Sequence, residues 1–126
     1  MAIRVLVADD APFIREILGH LLTRAGFELC GEAVDGNDVV WKARELRPQV
    51  IIMDIVMPRK SGLEATKVIL AEQPEMRIIA CSTEGSEAMV AHAIEAGCCD
   101  FITKPFKNDQ VIETIKKAVN KGEGHG

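Results

Sequence analysis

The sequence predicts an α/β protein in which helices cover both faces of a doubly wound, five-stranded parallel sheet, and three observations support this fold class. Five short runs rich in branched apolar residues recur along the 126 residues, each followed by a stretch with helical spacing. The first, third and fourth runs are almost continuously apolar, as strands covered on both faces are. The length suits one domain with a sizeable core. The expected strands are Ile3–Ala8, Glu28–Ala33, Val50–Met53, Arg77–Cys81 and Cys99–Thr103, with the second and fifth at the edges.

The first two helices have clear start and stop signals. After the first strand, Pro12 suits a first helical turn and Gly26 a C-terminal stop. The apolar face between them consists of Ile14, Ile17, Leu18, Leu21, Leu22 and Ala25. After the second strand, Asp35 is a candidate N-cap and Pro48 lies just beyond the helix end. This second helix is expected from about Gly36 to Leu46, with a buried face of Val39, Val40, Ala43 and Leu46.

The last three helices follow the remaining strands. The third begins after Ser61, ends before Pro74 and has an apolar face of Leu63, Thr66, Val68, Ile69 and Leu70. The fourth is expected from about Glu84 to Ala96, closes at Gly97 and uses Ala88, Ala91 and Ile94. The fifth begins near Asn108 and uses Val111, Ile112, Ile115, Ala118 and Val119. We expect one domain over residues 1–121 and a flexible polar tail over residues 122–126.

Charge and composition argue against several functional classes. The formal net charge is −4 and no cluster of basic residues with interleaved aromatics occurs, so we expect no nucleic-acid binding. No apolar stretch approaches the ~20 residues that span a bilayer, and no signal peptide opens the chain, so we expect a cytoplasmic protein without membrane insertion. The four cysteines form no C-x-x-C pair, which argues against a zinc site or a redox dithiol.

Polar side chains follow four of the five strands, at the edge where the carboxyl ends of parallel strands meet and ligands bind. These residues are Asp9, Asp10, Asp54, Ser82, Thr83 and Lys104. Three carboxylates at one edge repel each other unless a cation lies between them. Oxygen ligands without histidine or cysteine favour Mg²⁺, which shares its remaining positions with phosphate. Lys104 would add a fixed positive charge.

Each of these residues also has a simpler structural interpretation. Asp10 precedes a helix and is a candidate N-cap. Ser82 alone is typical of a satisfied hydroxyl or a cap, and Lys104 alone of a solvated loop lysine. Each signal is weak by itself, but their coincidence at one edge of the sheet favours a binding site.

Four segments resemble the motif regions of response-regulator receiver domains, in matching order and spacing across nearly the whole chain. They are VLVADD, VIIMDIVMPRKSG, IIACS and DFITKPF. Within that family the stand-alone chemotaxis regulators are the most similar, particularly in the stretches DDAPFIREI and GSEAMVAHAIEAG. The resemblance implies the flavodoxin-like strand order 2-1-3-4-5.

The resemblance also implies a chemistry for the polar edge. Asp54 would accept a phosphoryl group from the phosphohistidine of a histidine kinase and form an acyl phosphate. Asp10, Asp54 and the backbone carbonyl of Val56 would hold Mg²⁺, or alternatively Mn²⁺, and Asp9 would bind the ion through water. Lys104 would pair with Asp54 and then with the phosphoryl oxygens. The chain would be a phosphoacceptor that assists its own phosphotransfer and dephosphorylation, and not an enzyme acting on other molecules.

Further implied features concern the switch between states. Ser82 would donate its hydroxyl to a phosphoryl oxygen, and Phe101 would turn inward as that hydroxyl moves. The peptide bond between Lys104 and Pro105 is expected to be cis. Phe101 lacks the hydroxyl of the tyrosine common at its position. Val56 stands where many members have a polar residue that orients the hydrolytic water, so we predict slow dephosphorylation.

The implied partners leave two outputs open. A histidine kinase would be the phosphodonor, and the face of helix 4, strand 5 and helix 5 would signal to a flagellar-motor switch protein. Alternatively, the chain would pass phosphate to a histidine phosphotransfer protein in a phosphorelay. A haloacid-dehalogenase-type phosphatase is less favoured, because it needs a second acid where this chain has Val56. No glycine-rich nucleotide-binding motif follows a strand. We expect a monomer.

Overall fold

The computed structural model describes residues 2–123, with side chains described through residue 120. Five strands alternate with five helices along this part of the chain. The strands are β1 (Arg4–Ala8), β2 (Glu28–Ala33), β3 (Val50–Asp54), β4 (Arg77–Ser82) and β5 (Asp100–Thr103). The helices are α1 (Pro12–Arg24), α2 (Gly36–Leu46), α3 (Gly62–Glu72), α4 (Glu87–Ala96) and α5 (Asn108–Glu123). Every predicted element is present.

The strands form one parallel sheet in the order β2-β1-β3-β4-β5, which confirms the predicted topology. β2 and β5 are the edge strands, as their weaker apolar patterns predicted. β3 is central and buried along its whole length. The carboxyl ends of β1 and β3 are therefore neighbours, and β4 lies on the other side of β3, so the polar residues after these strands converge.

Two hydrophobic cores lie on opposite faces of the sheet, because successive strand residues point to alternate sides. On one face Leu6, Ile51 and Ile78 pack with residues of α2, α3 and α4. On the other face Val5 and Ile52 pack with residues of α1 and α5. Both cores are almost entirely aliphatic, in a chain that has one Trp, four Phe and no Tyr. The central strands are held from both sides, which makes their carboxyl ends a rigid platform.

Local capping explains where two of the helices begin. Asp35 accepts a hydrogen bond from the backbone N–H of Asp38 and is the predicted N-cap of α2. Ser61 and Glu64 form a reciprocal capping box at the start of α3. These caps fix the helix starts that follow β2 and β3 at the ligand edge.

The prediction for α4 is wrong in its start and in its buried face. The helix begins at Glu87, three residues later than expected, because the Ser86 hydroxyl oxygen caps it by accepting from the Met89 backbone N–H. Ala93 and Ala96 are buried, whereas the predicted face of Ala88, Ala91 and Ile94 is exposed. An alanine-rich helix has little contrast in hydrophobicity between its faces, so periodicity alone selected the wrong one.

The last helix, α5, extends into the segment that was predicted to be a flexible tail. α5 continues to Glu123, two residues into the segment 122–126, and residues 124–126 lie outside the described part of the chain. Between residues 2 and 123, none of the helices combines the length and apolarity that a bilayer crossing requires.

Candidate functional site

Three carboxylates meet where β1 and β3 end. Asp9 and Asp10 follow the last residue of β1, and Asp54 is the last residue of β3. Asp9 and Asp54 are buried, Asp10 is exposed, and carboxylate oxygens from all three lie within 4.8 Å of one another. The parallel pairing of β1 with β3 brings these distant parts of the sequence together. The three predicted acidic residues therefore form one cluster.

Asp9 is anchored at four points. Its backbone N–H donates to the Ala33 carbonyl, and its Oδ1 accepts from the Ala11 backbone N–H at 2.9 Å. Its Oδ2 accepts from Lys104 Nζ, and its backbone carbonyl accepts from Arg15 Nη1 at 2.7 Å. The role of Arg15 was not predicted from the sequence. The only feature that could have indicated it is the position of a basic residue in the first turns of the helix that follows the two aspartates. This anchoring fixes the Asp9–Asp10 peptide.

Lys104 provides the positive charge of the site and forms the expected ion pair with Asp54, together with a second one that was not expected. Its Nζ lies 2.8 Å from Asp9 Oδ2 and 3.5 Å from Asp54 Oδ2, so its shorter contact is with Asp9. Burial by itself would favour the neutral amine, yet the hydrogen bond with Asp9 and the nearby Asp54 raise the pKa of Lys104. The Lys104–Pro105 peptide bond is cis, as the resemblance implied. The lysine is charged and bridges the two buried carboxylates.

The pKa of Asp54 depends on its buried position at the end of β3. The pKa of Asp54 is raised to about 6, mainly by burial and in smaller part by the charges of Asp9 and Asp10. The hydrogen bond from the Val56 backbone N–H and the charge of Lys104 act in the opposite direction. The largest cause is thus desolvation, and the repulsion predicted from the sequence is smaller than both burial and the opposing Val56 hydrogen bond. A group that brings positive charge to this edge would favour the ionised carboxylate.

Ser82 ends β4 beside this cluster and is buried. Its hydroxyl oxygen accepts a hydrogen bond from the Glu84 backbone N–H at 3.1 Å, and its carbonyl accepts from the Lys104 backbone N–H. Phe101 lies one strand further on, opposite Ala80, and is half-buried against the core of α2, α3 and α4. The two predicted switch residues therefore occupy adjacent strands, with Ser82 hydrogen-bonded to the loop that leads to α4.

The loop after Asp54 is tightly built. Val56 is 64% exposed, whereas its neighbour Met57 is buried in the core. Gly62 N–H donates to the Ile55 carbonyl and closes the loop. A Cβ at Gly62 would lie 2.3 Å from the Asp54 carbonyl oxygen, which only glycine avoids. The backbone of this loop is thus held against the end of β3.

The residues present fit a hard divalent ion. The cluster offers carboxylate oxygens, and no histidine or cysteine belongs to the clusters of metal-binding side chains found among residues 2–123. Asp10 is free of the capping role that was its simpler interpretation, because Ala11 is the N-cap of α1 and no side chain caps that helix. Asp10, Asp54 and a loop carbonyl would hold Mg²⁺ directly, and Asp9 would bind it through water.

Comparisons with known proteins agree with this geometry. A family model described as response regulator receiver domain matches residues 5–116. The chain is 46% identical over 117 residues to the chemotaxis protein CheY of Thermotoga maritima, covering 93% of this chain and 98% of that protein. It is 44% identical over 120 residues to the chemotaxis protein CheY of Bacillus subtilis, covering 95% and 100%. A chain in the crystal structure of the CheX-CheY-BeF3-Mg²⁺ complex from Borrelia burgdorferi superposes with a TM-score of 0.88 at 27% identity, covering 91% and 87%.

Proposed function

Because the chain belongs to the response regulator receiver domain family, we propose that it accepts a phosphoryl group on Asp54 from the phosphohistidine of a histidine kinase, with Mg²⁺. The observation that carries this proposal is the buried cluster of Asp9 and Asp54, bridged by Lys104 and open to solvent at Asp10. Such a site combines a nucleophilic carboxylate with fixed charges for phosphoryl oxygens. Mn²⁺ has the same preference for oxygen ligands and is the alternative ion.

The proposed transfer follows from these positions. An oxygen of the Asp54 carboxylate attacks phosphorus in line, the P–N bond to the donor histidine breaks, and the imidazole nitrogen leaves with the electron pair. Lys104, 3.5 Å from Asp54, moves its contact to a phosphoryl oxygen, and Ser82 donates its hydroxyl to another. Mg²⁺, when bound, neutralises the negative charge of the phosphoryl group. Positioning and charge neutralisation are what phosphoryl transfer requires.

Hydrolysis of the acyl phosphate would end the signal. A water molecule attacks phosphorus, the bond between phosphorus and the Asp54 oxygen breaks, and phosphate leaves. Val56, two residues after Asp54, is exposed and has no polar group that could orient this water. Slow self-dephosphorylation is therefore part of the proposal. The same absence of a second acid argues against a phosphatase that acts on external phosphoesters.

We assign the output to chemotaxis, because the curated CheY proteins match over nearly their whole length. Movement of Ser82 toward the phosphoryl group would release the Glu84 N–H and allow Phe101 to turn inward. The face of α4, β5 and α5 would then bind a flagellar-motor switch protein or a protein of the CheX type, since a similar CheY forms a complex with CheX. The phosphorelay alternative is not favoured by these relatives. We also propose that the protein is a monomer and does not bind nucleic acid.

The test is transfer of label from a cognate histidine kinase. We expect the parent protein to take up one labelled phosphoryl group in the presence of Mg²⁺ and Asp54→Asn to take up none. Asp38→Asn, which removes the same charge on α2, is the matched control and should be labelled like the parent. Labelling of Asp54→Asn to the parent's level would refute the assignment. Sustained release of phosphate from an aryl phosphate would favour the phosphatase instead.

A further inference from the structure

The loop that carries the proposed carbonyl ligand is packed on both sides of Val56, but the Val56 side chain itself is not. Val56 is exposed, so its side chain does not hold its peptide in place. The β3–α3 loop, residues 55–61, is fixed at its two ends by the Gly62 to Ile55 hydrogen bond and by the capping box at Ser61. Between these ends, the Val56 N–H donates to Asp54 Oδ1 and Met57 is buried in the core, whereas residues 58 and 59 are exposed. Contacts from outside the loop are therefore needed to hold this exposed part and the peptides next to it.

A contact from another part of the fold reaches that middle. Arg59 has a φ of +66°, in the left-handed region that residues other than glycine avoid. Its Nη1 donates to Asp35 Oδ2 at 3.0 Å, across 24 positions of sequence. The Asp35 side chain is only 10% exposed and uses its other oxygen, Oδ1, to cap α2. One buried carboxylate thus joins the start of α2 to the loop.

The backbones of these two segments are also in direct contact. A Cβ at Gly36 would lie 1.9 Å from the Lys60 carbonyl oxygen, which leaves no space for any other residue there. The residue beside Arg59 and the residue beside Asp35 therefore touch through main-chain atoms. The start of α2 forms a wall for the loop, and the ion pair ties the loop to that wall.

We propose that the ion pair of Asp35 with Arg59 is a positioning device for the metal site, which holds the β3–α3 loop in the conformation that presents the Val56 carbonyl to Mg²⁺. This inference rests on the proposed function, in which that carbonyl is a ligand. Asp35 and Arg59 are positioning residues, since they act through the loop and do not touch the ion. Partners that orient a metal ligand typically affect affinity about 10- to 100-fold.

The test compares Mg²⁺ dissociation constants, measured by amide chemical shifts in an NMR titration of the full chain. Asp35→Asn keeps a capping oxygen for α2 but loses the charge that holds Arg59. We expect Asp35→Asn and Arg59→Gln each to weaken Mg²⁺ binding about tenfold, and Arg59→Lys to retain more affinity than Arg59→Gln. The double variant should be no weaker than either single variant, because both remove one interaction.

Matched controls separate positioning from charge and from stability. Asp38→Asn removes a carboxylate from the same helix, where it contacts Val34 and Lys42 and not the loop. Arg44→Gln breaks an exposed ion pair with Glu72. Both should bind Mg²⁺ within about twofold of the parent, and hydrogen exchange at residues 56–60 should increase only in the Asp35 and Arg59 variants. If the parent binds Mg²⁺ and Asp35→Asn has the same dissociation constant, the positioning role is refuted but the proposed function is not. A parent that binds no Mg²⁺ would refute the proposed function as well.

Discussion

Replacement of Asp54 by asparagine should stabilise the metal-free protein at neutral pH. Asp54 is 5% exposed, and burial raises its pKa from an ordinary value of 3.8 to about 6. A shift of this size corresponds to at most about 3 kcal/mol of folding free energy, at about 1.4 kcal/mol per pKa unit. Asparagine keeps the acceptor for the Val56 N–H, but its amide must also be desolvated and Lys104 loses a partner. We therefore expect a gain of about 1–2 kcal/mol.

The sign of the pH dependence follows from which state binds the proton. The folded protein holds the Asp54 proton more tightly than the unfolded chain, so Asp54 costs nothing below about pH 4. As the pH rises from about 4 to about 6, the ionised form is penalised only in the folded state and stability falls. Above about pH 6 the penalty is constant. The advantage of Asp54→Asn should appear across this window and then level off.

Urea denaturation in EDTA between pH 4 and 8 measures this effect. Asp109→Asn, the same change of charge in the first turn of α5, is the control and should show little change in stability. Saturating Mg²⁺ should stabilise the parent by mass action more than the variant and narrow the difference. An Asn variant that is less stable than the parent at pH 7 in EDTA would refute the reasoning. So would an advantage that is the same at pH 4 and pH 7.

Three further predictions concern the site and its loop. Lys104→Ala should leave phosphorylation of Asp54 measurable but uncouple it from partner binding, because the ammonium that bridges the site is lost; a phosphorylated variant that binds its partner like the parent would contradict this. Val56→Asn should shorten the half-life of the acyl phosphate at least about tenfold by orienting water, and a parent half-life of only seconds would contradict the proposed slow hydrolysis. Gly62→Ala should lower the unfolding free energy by more than about 2 kcal/mol in urea titrations, because its Cβ would lie 2.3 Å from the Asp54 carbonyl oxygen. Gly26→Ala meets no atom within 4 Å and should lower it by only about 1 kcal/mol, the cost of the left-handed φ of +88°.

Much of the fold was predictable because its signals are local. Apolar runs marked the strands, and capping residues such as Asp35 and Ser61 marked helix starts within a few positions. The prediction failed at α4, because the faces of this alanine-rich helix differ little in hydrophobicity. Its true buried residues depend on how the helix packs against α3 and β5, which periodicity does not contain.

The candidate site divides in the same way. Asp9, Asp10, Asp54, Ser82 and Lys104 were identifiable because parallel strands deliver their carboxyl ends to one edge. The bond from Arg15 to the Asp9 carbonyl and the shorter contact of Lys104 with Asp9 were not predicted. These depend on side-chain directions and distances of a few tenths of an ångström, set by packing.

The fold class, the strand order through the family resemblance, and the set of residues that meet at the ligand edge could all be predicted from the residues alone. Which of those residues are buried, how Lys104 divides its contacts, and the contact of Asp35 with Arg59 across 24 positions became visible in the folded chain. This division arises because backbone pattern and caps act between near neighbours in sequence. The burial that raises the pKa of Asp54 and the ion pair that holds its loop arise between segments that meet only when the chain folds.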